Sequence, residues 1–211
     1  MRISFTIVIY FDVSTILYDR RLSMLKLKNS EAKKLYANIL KYSTHDIAEK
    51  IAYGIDIVPS SNNSENAEWV KYVSSELEKH FEEHTIKNIR MGCFCNENGK
   101  LDESKVFIRN IYKSSNSMKD FVNKMNEHGA GWYIEDGYLF TKYFSCPCPM
   151  LESIDILPTK TWCYCTVGYS KQIFEYAFDC EVDIELLESI KTGGKQCLMK
   201  IVTSSKDILP L

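Results

Sequence analysis

Trp132-Tyr-Ile134, Glu135-Asp136-Gly137, Tyr138-Leu-Phe-Thr-Lys-Tyr-Phe144 is the stretch in which the hydrophobic period of the chain changes. Before it, apolar residues recur at helical spacing. From Trp132 onward they alternate, and Asp136-Gly137 between two alternating runs is a strong short-range signal for a β-hairpin. Helical patterns precede this hairpin and strand patterns follow it. The chain therefore reads as α+β: N-terminal helices followed by a mainly antiparallel β-sheet with one helix packed across it.

Working back from the hairpin, Ser117 to Glu127 predicts a helix capped by Ser117, with Met118, Phe121, Val122 and Met125 on one side and Gly129-Ala-Gly131 as its stop. Glu103 to Tyr112 predicts another. Glu65 to Ile89 predicts a long helix whose apolar stripe is Trp69, Val73, Leu77, Phe81, Ile86 and Ile89, ending at Met91-Gly92. His80 and His84 lie four apart on it. They lack the His-Glu-x-x-His pattern of zinc peptidases, and a solvated face is the better reading. Leu25 to Tyr53 predicts helix, with Ser43-Thr44 and Asp46 offering a break and a new N-cap between two shorter helices. Pro59-Ser-Ser-Asn-Asn-Ser64 reads as a linker. The expected organisation is an N-terminal extension over 1–23, a helical appendage over 24–58 and a cysteine-rich α/β domain over 65–203.

Working forward, Cys146-Pro-Cys148-Pro149 cannot be helical, and the prolines hold it extended so that both thiols face one way. Thr161 to Val167 predicts a strand with Cys163 and Cys165 on one face and Trp162 and Tyr164 on the other. Gly168 to Phe178 predicts a helix. Val182 to Leu187 predicts a strand with Val182, Ile184 and Leu186 inward, and Gly193-Gly194 turns the chain into a last strand from Cys197 to Ile201.

At 211 residues the chain is long enough to bury a core without disulfide staples. Its 26 basic and 28 acidic residues give a net charge of -2, with no basic block to track a phosphate backbone, so nucleic acid is not an expected partner. Ile3 to Phe11, after Arg2, resembles the start of a signal peptide. Asp12 interrupts it, no small-residue cleavage site follows and it is too short to span a bilayer, so no membrane role is expected. An N-terminal strand or a disordered extension fits better, and Met24 opens a normal amphipathic segment, as though 1–23 were a mis-assigned start. A chain that is not exported keeps its thiols in a reducing compartment, and a cytoplasmic location is expected. There, cysteine clusters bind metal or do redox work more often than they form disulfides.

The chain has 8 cysteines, and Cys146, Cys148, Cys163, Cys165 and Cys197 fall within the segment around these strands. Two Cys-x-Cys pairs offer four thiolates to one soft ion. Zinc accepts such a set, although its ribbon sites prefer Cys-x-x-Cys, and an iron-sulfur cluster is the alternative. Cys93-Phe-Cys95 is a third pair that could complete the set, whereas Cys180 lacks such a partner and reads as structural. Buried small hydrophobes are the competing reading. A redox dithiol is disfavoured because Cys163 and Cys165 are flanked by aromatics, and nothing in the spacing pairs a cysteine with His128.

Trp162-Cys163, Gly168-Tyr169, Glu188 and Gly193-Gly-Lys-Gln-Cys197-Leu-Met-Lys-Ile201 resemble the 4-vinyl reductase type of small-molecule-binding domain. The same C-terminal hairpin is similar to the L-2-amino-thiazoline-4-carboxylate hydrolase family. From about Trp69 to Ile201 the pattern also looks like an uncharacterised cysteine-rich bacterial family. The first resemblance implies an often dimeric ligand-binding module, with zinc held by cysteines and a glutamate beside an apolar pocket. It carries Cys163 and Cys197 over as ligands. The chain departs from it where Ser189 replaces a cysteine and Leu186 stands at the glutamate position, with Glu185 and Glu188 nearby. Cys146, Cys148 or Cys165 would supply the missing thiolates. Trp132, Trp162, Tyr164, Tyr169, Phe174 and Glu188 are the expected pocket residues. The expected function is zinc-dependent recognition of a small apolar or aromatic molecule; the alternative is hydrolysis of a small cyclic amide or thiazoline by a metal-activated water or a thiolate.

Overall fold

The computed structural model describes residues 30–55, 63–96, 99–146, 148–203 and 209–210. The readings placed on 1–29 and on Pro59 to Asn62 lie outside these residues. Among the described residues the order is α1 (Ser30–Ile39), α2 (His45–Tyr53), α3 (Asn63–His80), α4 (Glu83–Met91), α5 (Lys100–Lys113), α6 (Met118–Glu127), β1 (Tyr133–Glu135), β2 (Tyr138–Tyr143), α7 (Tyr164–Phe178), β3 (Val182–Glu188) and β4 (Cys197–Thr203). Short 3-10 turns cover Pro149–Leu151, Thr161–Cys163 and Ile190–Thr192. The architecture is α+β, helices first and then an antiparallel sheet.

Local chemistry accounts for most of these boundaries. Thr44 caps α2 by accepting from the Ile47 amide at 3.5 Å, and Ser117 caps α6 by accepting from Asp120 at 3.1 Å. The β1–β2 turn places Asp136 and Gly137 at φ 49° and 80°, the two positive values that a tight hairpin turn of the right twist requires. Tyr133 opposes Phe140 across the hairpin with their rings stacked 4.8 Å apart.

The sheet order is β1-β2-β4-β3, with each neighbour antiparallel. Val182, Ile184 and Leu186 of β3 face inward, as their alternation predicts, and Met199 and Ile201 of β4 join them. Helix α7 covers this face with Ile173, Phe174, Ala177 and Phe178. The remaining helices close the core from the other side. Trp69 of α3 is fully buried, meets Trp162 edge-on at 5.4 Å and donates its indole N–H to the Ala52 carbonyl at 3.2 Å. Its truncation to alanine would cost about 3–5 kcal/mol. Leu35, Ile39, Ala48 and Ile51 of the first two helices belong to the same core.

Two sequence expectations are corrected. The segment Glu65 to Ile89 is not one helix: it breaks at Glu82, whose backbone is extended (φ -70°, ψ 156°), and His80 and His84 fall on different helices. No glycine or proline marks the break; it lets Leu77 on one side and Ile86 and Ile89 on the other all enter the core. The segment Thr161 to Val167 is not a strand. It is a 3-10 turn running into α7, which begins at Tyr164, four residues before Gly168. Its aromatic and β-branched composition favours a strand, but packing against α4 overrides that preference.

Candidate metal centre

Three segments deliver the thiols. Cys146 and Cys148 follow β2 on the way into the turn Pro149–Leu151; Cys163 and Cys165 flank the start of α7; Cys197 opens β4 opposite Tyr143 of β2. The register between β2 and β4 brings Cys197 beside the end of the strand that leads to Cys146. The loop over 152–160 is tied back by Leu157 N–H to the Lys191 carbonyl (2.6 Å) and by Lys160 Nζ to the carbonyls of Leu186 and Leu187 (3.1 and 3.2 Å). Thr161 donates to Glu78 at 2.7 Å and fixes the entry to α7.

Cys146, Cys148, Cys163, Cys165 and Cys197 thereby line one small cavity, together with Trp162, Leu186 and Ser189. Its volume is about 10 Å³, room for one water or one ion. Among the described residues the cysteines form no disulfide. Ser189 Oγ donates to Cys163 Sγ at 3.3 Å. Burial pushes the Cys163 thiol up to about 12 and also raises Cys148 and Cys197, because a thiolate loses hydration there. The donor set suits a soft ion such as zinc; thiolates also hold iron-sulfur clusters, but a void of this size has room for a single ion. Among the described residues, no three His, Cys, Asp or Glu side chains are close enough together to hold an ion as they stand.

A second, larger hollow of about 350 Å³ adjoins the first and shares Cys148, Cys165 and Thr166 with it. Cys95, Lys100, Tyr143, Phe144 and Tyr169 complete its wall. Tyr169 is held there by a 3.2 Å hydrogen bond between its hydroxyl and that of Ser104. Of the aromatic residues expected at a pocket, Tyr169 lines this hollow and Trp162 lines the cysteine cavity. The other expected residues lie elsewhere. Trp132 and Phe174 pack together in the core at 5.5 Å. Tyr164 opens onto a different surface depression and donates to Glu83 at 2.6 Å. Glu188 turns to the 193–196 loop, where the Lys195 amide donates to it at 2.6 Å and holds its carboxyl below the usual range.

Two further residues lie beside the thiols: Cys93, which the sequence reading offers as part of a third pair, and Arg90, which it does not single out. Cys93 is 1% exposed and donates to the Ile89 carbonyl at 3.3 Å. Arg90, 2% exposed, lays its guanidinium 3.8 Å from the centre of the Trp162 ring and donates to the Trp162 carbonyl at 3.3 Å. A signal for Arg90 was available: it follows Ile86 by four, which puts it on the apolar stripe of its helix.

One family model, described as "Family of unknown function (DUF6144)", matches residues 24–208. The chain belongs to the DUF6144 family. The match takes in α1 and α2 as well as the whole cysteine-bearing part, so membership in DUF6144 spans every element described above. No curated protein and no solved structure matches the chain. Among the described residues, no helix is long and apolar enough to cross a membrane.

Proposed function

We propose that this DUF6144 chain binds a soft metal ion, zinc in preference to an iron-sulfur cluster, through Cys146, Cys148, Cys163 and Cys197, with Cys165 in reserve, and recognises a small apolar or aromatic molecule in the adjoining hollow. The observation that carries the reading is the shared wall: five cysteines from three separated segments line one ion-sized cavity, and two of them also face a hollow of about 350 Å³. Cysteines packed only as small hydrophobes are the competing account, and it predicts that no metal co-purifies.

The resemblance proposed for the C-terminal hairpin, to 4-vinyl reductase-type domains, would extend this reading to a homodimer, and the proposed place of action is the cytoplasm. Tyr169, Tyr143 and Phe144 supply the apolar contact surface, and Thr166 and Ser145 supply hydroxyls to orient a ligand. A closed set of four thiolates makes the metal structural. The hydrolase reading is favoured by Cys148 and Cys165, which face both spaces, because a metal with one open position there acidifies its bound water.

Elemental analysis of anaerobically purified protein, with a free-thiol count and a visible spectrum, tests the proposal. About one zinc per chain without a visible band supports it. Iron with a brown chromophore replaces zinc by a cluster, and an absence of metal with every thiol free overturns the site. Loss of fold in Cys163→Ser would mark the metal as structural; an intact fold without turnover would favour the hydrolase.

A further inference from the structure

We infer that Arg90 is the counter-cation of the cysteine site, a positioning residue whose buried charge favours an ion ligated by enough thiolates to leave the centre anionic. The inference rests on the metal reading above and names the residue that makes an anionic centre tenable in this core.

A guanidinium stays protonated in any protein setting, so Arg90 brings a permanent positive charge into the interior. Buried charges of this kind require a counter-charge and a full complement of hydrogen bonds. Arg90 has the Trp162 ring under it and the Trp162 carbonyl in front of it, both neutral, and its Nε–H has no partner. The groups whose negative charge would act on it most are Cys93, Cys165 and Cys148, ahead of Glu31. Cys93 keeps its proton, donating its S–H to the Ile89 carbonyl at 3.3 Å while its sulfur accepts from Asn38 Nδ2 at 3.8 Å, and so offers Arg90 no charge. Cys148 and Cys165 line the ion-sized cavity, so they are the sulfurs that Arg90 serves.

A second donor stands at the same place. Trp162 is 1% exposed and lines the cavity, and its indole N–H is directed at the Cys148 sulfur without reaching good hydrogen-bond geometry. Buried N–H groups are rarely left poorly paired, and two beside one set of thiols describe a site that wants stronger acceptors. A thiolate bound to a metal keeps lone pairs that accept N–H donors, whereas a neutral thiol is a poor acceptor. Four thiolates outweigh a divalent ion, and the resulting negative centre supplies both the missing charge and the stronger acceptors.

The test is zinc titration of the full chain against a chromophoric chelator, for the native protein, Arg90→Met and Arg90→Lys, with circular dichroism as the check on folding. Arg90→Met should lower zinc affinity about tenfold or more, the usual effect of losing a group that supports metal ligands, and Arg90→Lys should recover most of the loss. A purely structural arginine would give neither the charge-dependent loss nor the rescue. If Arg90→Met binds zinc as tightly as the native chain, the inference fails and the metal reading stands. If the native chain takes up no zinc, both fail. Should Arg90→Met not fold, nitrogen-labelled native protein loaded with NMR-active cadmium decides. Scalar coupling to cadmium through sulfur at the Arg90 Nε–H or Trp162 Nε1–H supports the inference, and its absence at both overturns it.

Discussion

The backbone of Gly168 lies so close to Met91 that a β carbon at position 168 would come within 2.0 Å of the Met91 carbonyl oxygen. This contact sets the spacing of α7 against the end of α4, and therefore of Cys165 against Arg90 and Cys93. The obstacle is backbone and cannot rotate away. Gly168→Ala should destabilise the protein by about 2–3 kcal/mol, measured by urea denaturation, and should weaken metal uptake in whatever fraction folds. A neutral result would mean that the two helices separate easily.

Ser189 is 1% exposed and donates to Cys163 Sγ at 3.3 Å. Ser189→Cys adds a sixth thiol to the cavity wall with little change in volume, and because four thiolates already close the proposed set, chelator competition should show little change in metal affinity. Ser189→Ala should cost only about 1 kcal/mol of stability, the worth of one buried hydrogen bond.

The metal-free protein should lose stability in alkali. The Cys163 thiol rises from an ordinary value of 9.0 to about 12 in the fold, and Cys148 rises with it. A group whose folded pKa is raised contributes stability that is complete below the unfolded value and disappears as pH climbs from about 9 to about 12. Metal loading should reverse the profile, because ligating thiolates compete with protons, and loss of metal should then come on the acid side. Thermal melts of both forms across pH check the crossing.

Glu76 anchors α3 from inside. It is 6% exposed, pairs with Lys79 at 2.6 Å and with Lys50 of α2 at 2.9 Å, and the hydrogen bonds from Lys79 and Lys50 hold its carboxyl below the usual value of 4.5. A depressed pKa contributes stability above the unfolded value and loses it as pH falls through the folded one. Both lysines are largely exposed, which limits the gain through solvent screening. Glu76→Gln should cost about 1 kcal/mol at neutral pH and much less in acid, read from denaturation at both.

Much of the fold was legible because it follows from local rules. The Asp136-Gly137 turn, the Ser117 cap, the alternation of Val182, Ile184 and Leu186 and the stripe of α6 each report a backbone state through the residues themselves. The break at Glu82 was not legible, since nothing in Phe81-Glu82-Glu83 forbids helix and only the direction of the core demands a turn there. The start of α7 was misread for the opposite reason: Thr-Trp-Cys-Tyr-Cys-Thr-Val is strand-like in composition and helical by packing.

For the site, the sequence by itself determined which thiols are available, the residue type that each segment presents and the α+β order that carries them. Tertiary structure alone decided that Cys146, Cys148, Cys163, Cys165 and Cys197 surround one void, that Tyr169 rather than Trp132 or Phe174 faces the larger hollow, and that Arg90 lies on Trp162 beside the sulfurs. Local sequence fixes periodicity and caps within a few residues along the chain. Which side chains meet across long separations depends on how the helices and the sheet pack, and that is set by the shape of the whole core.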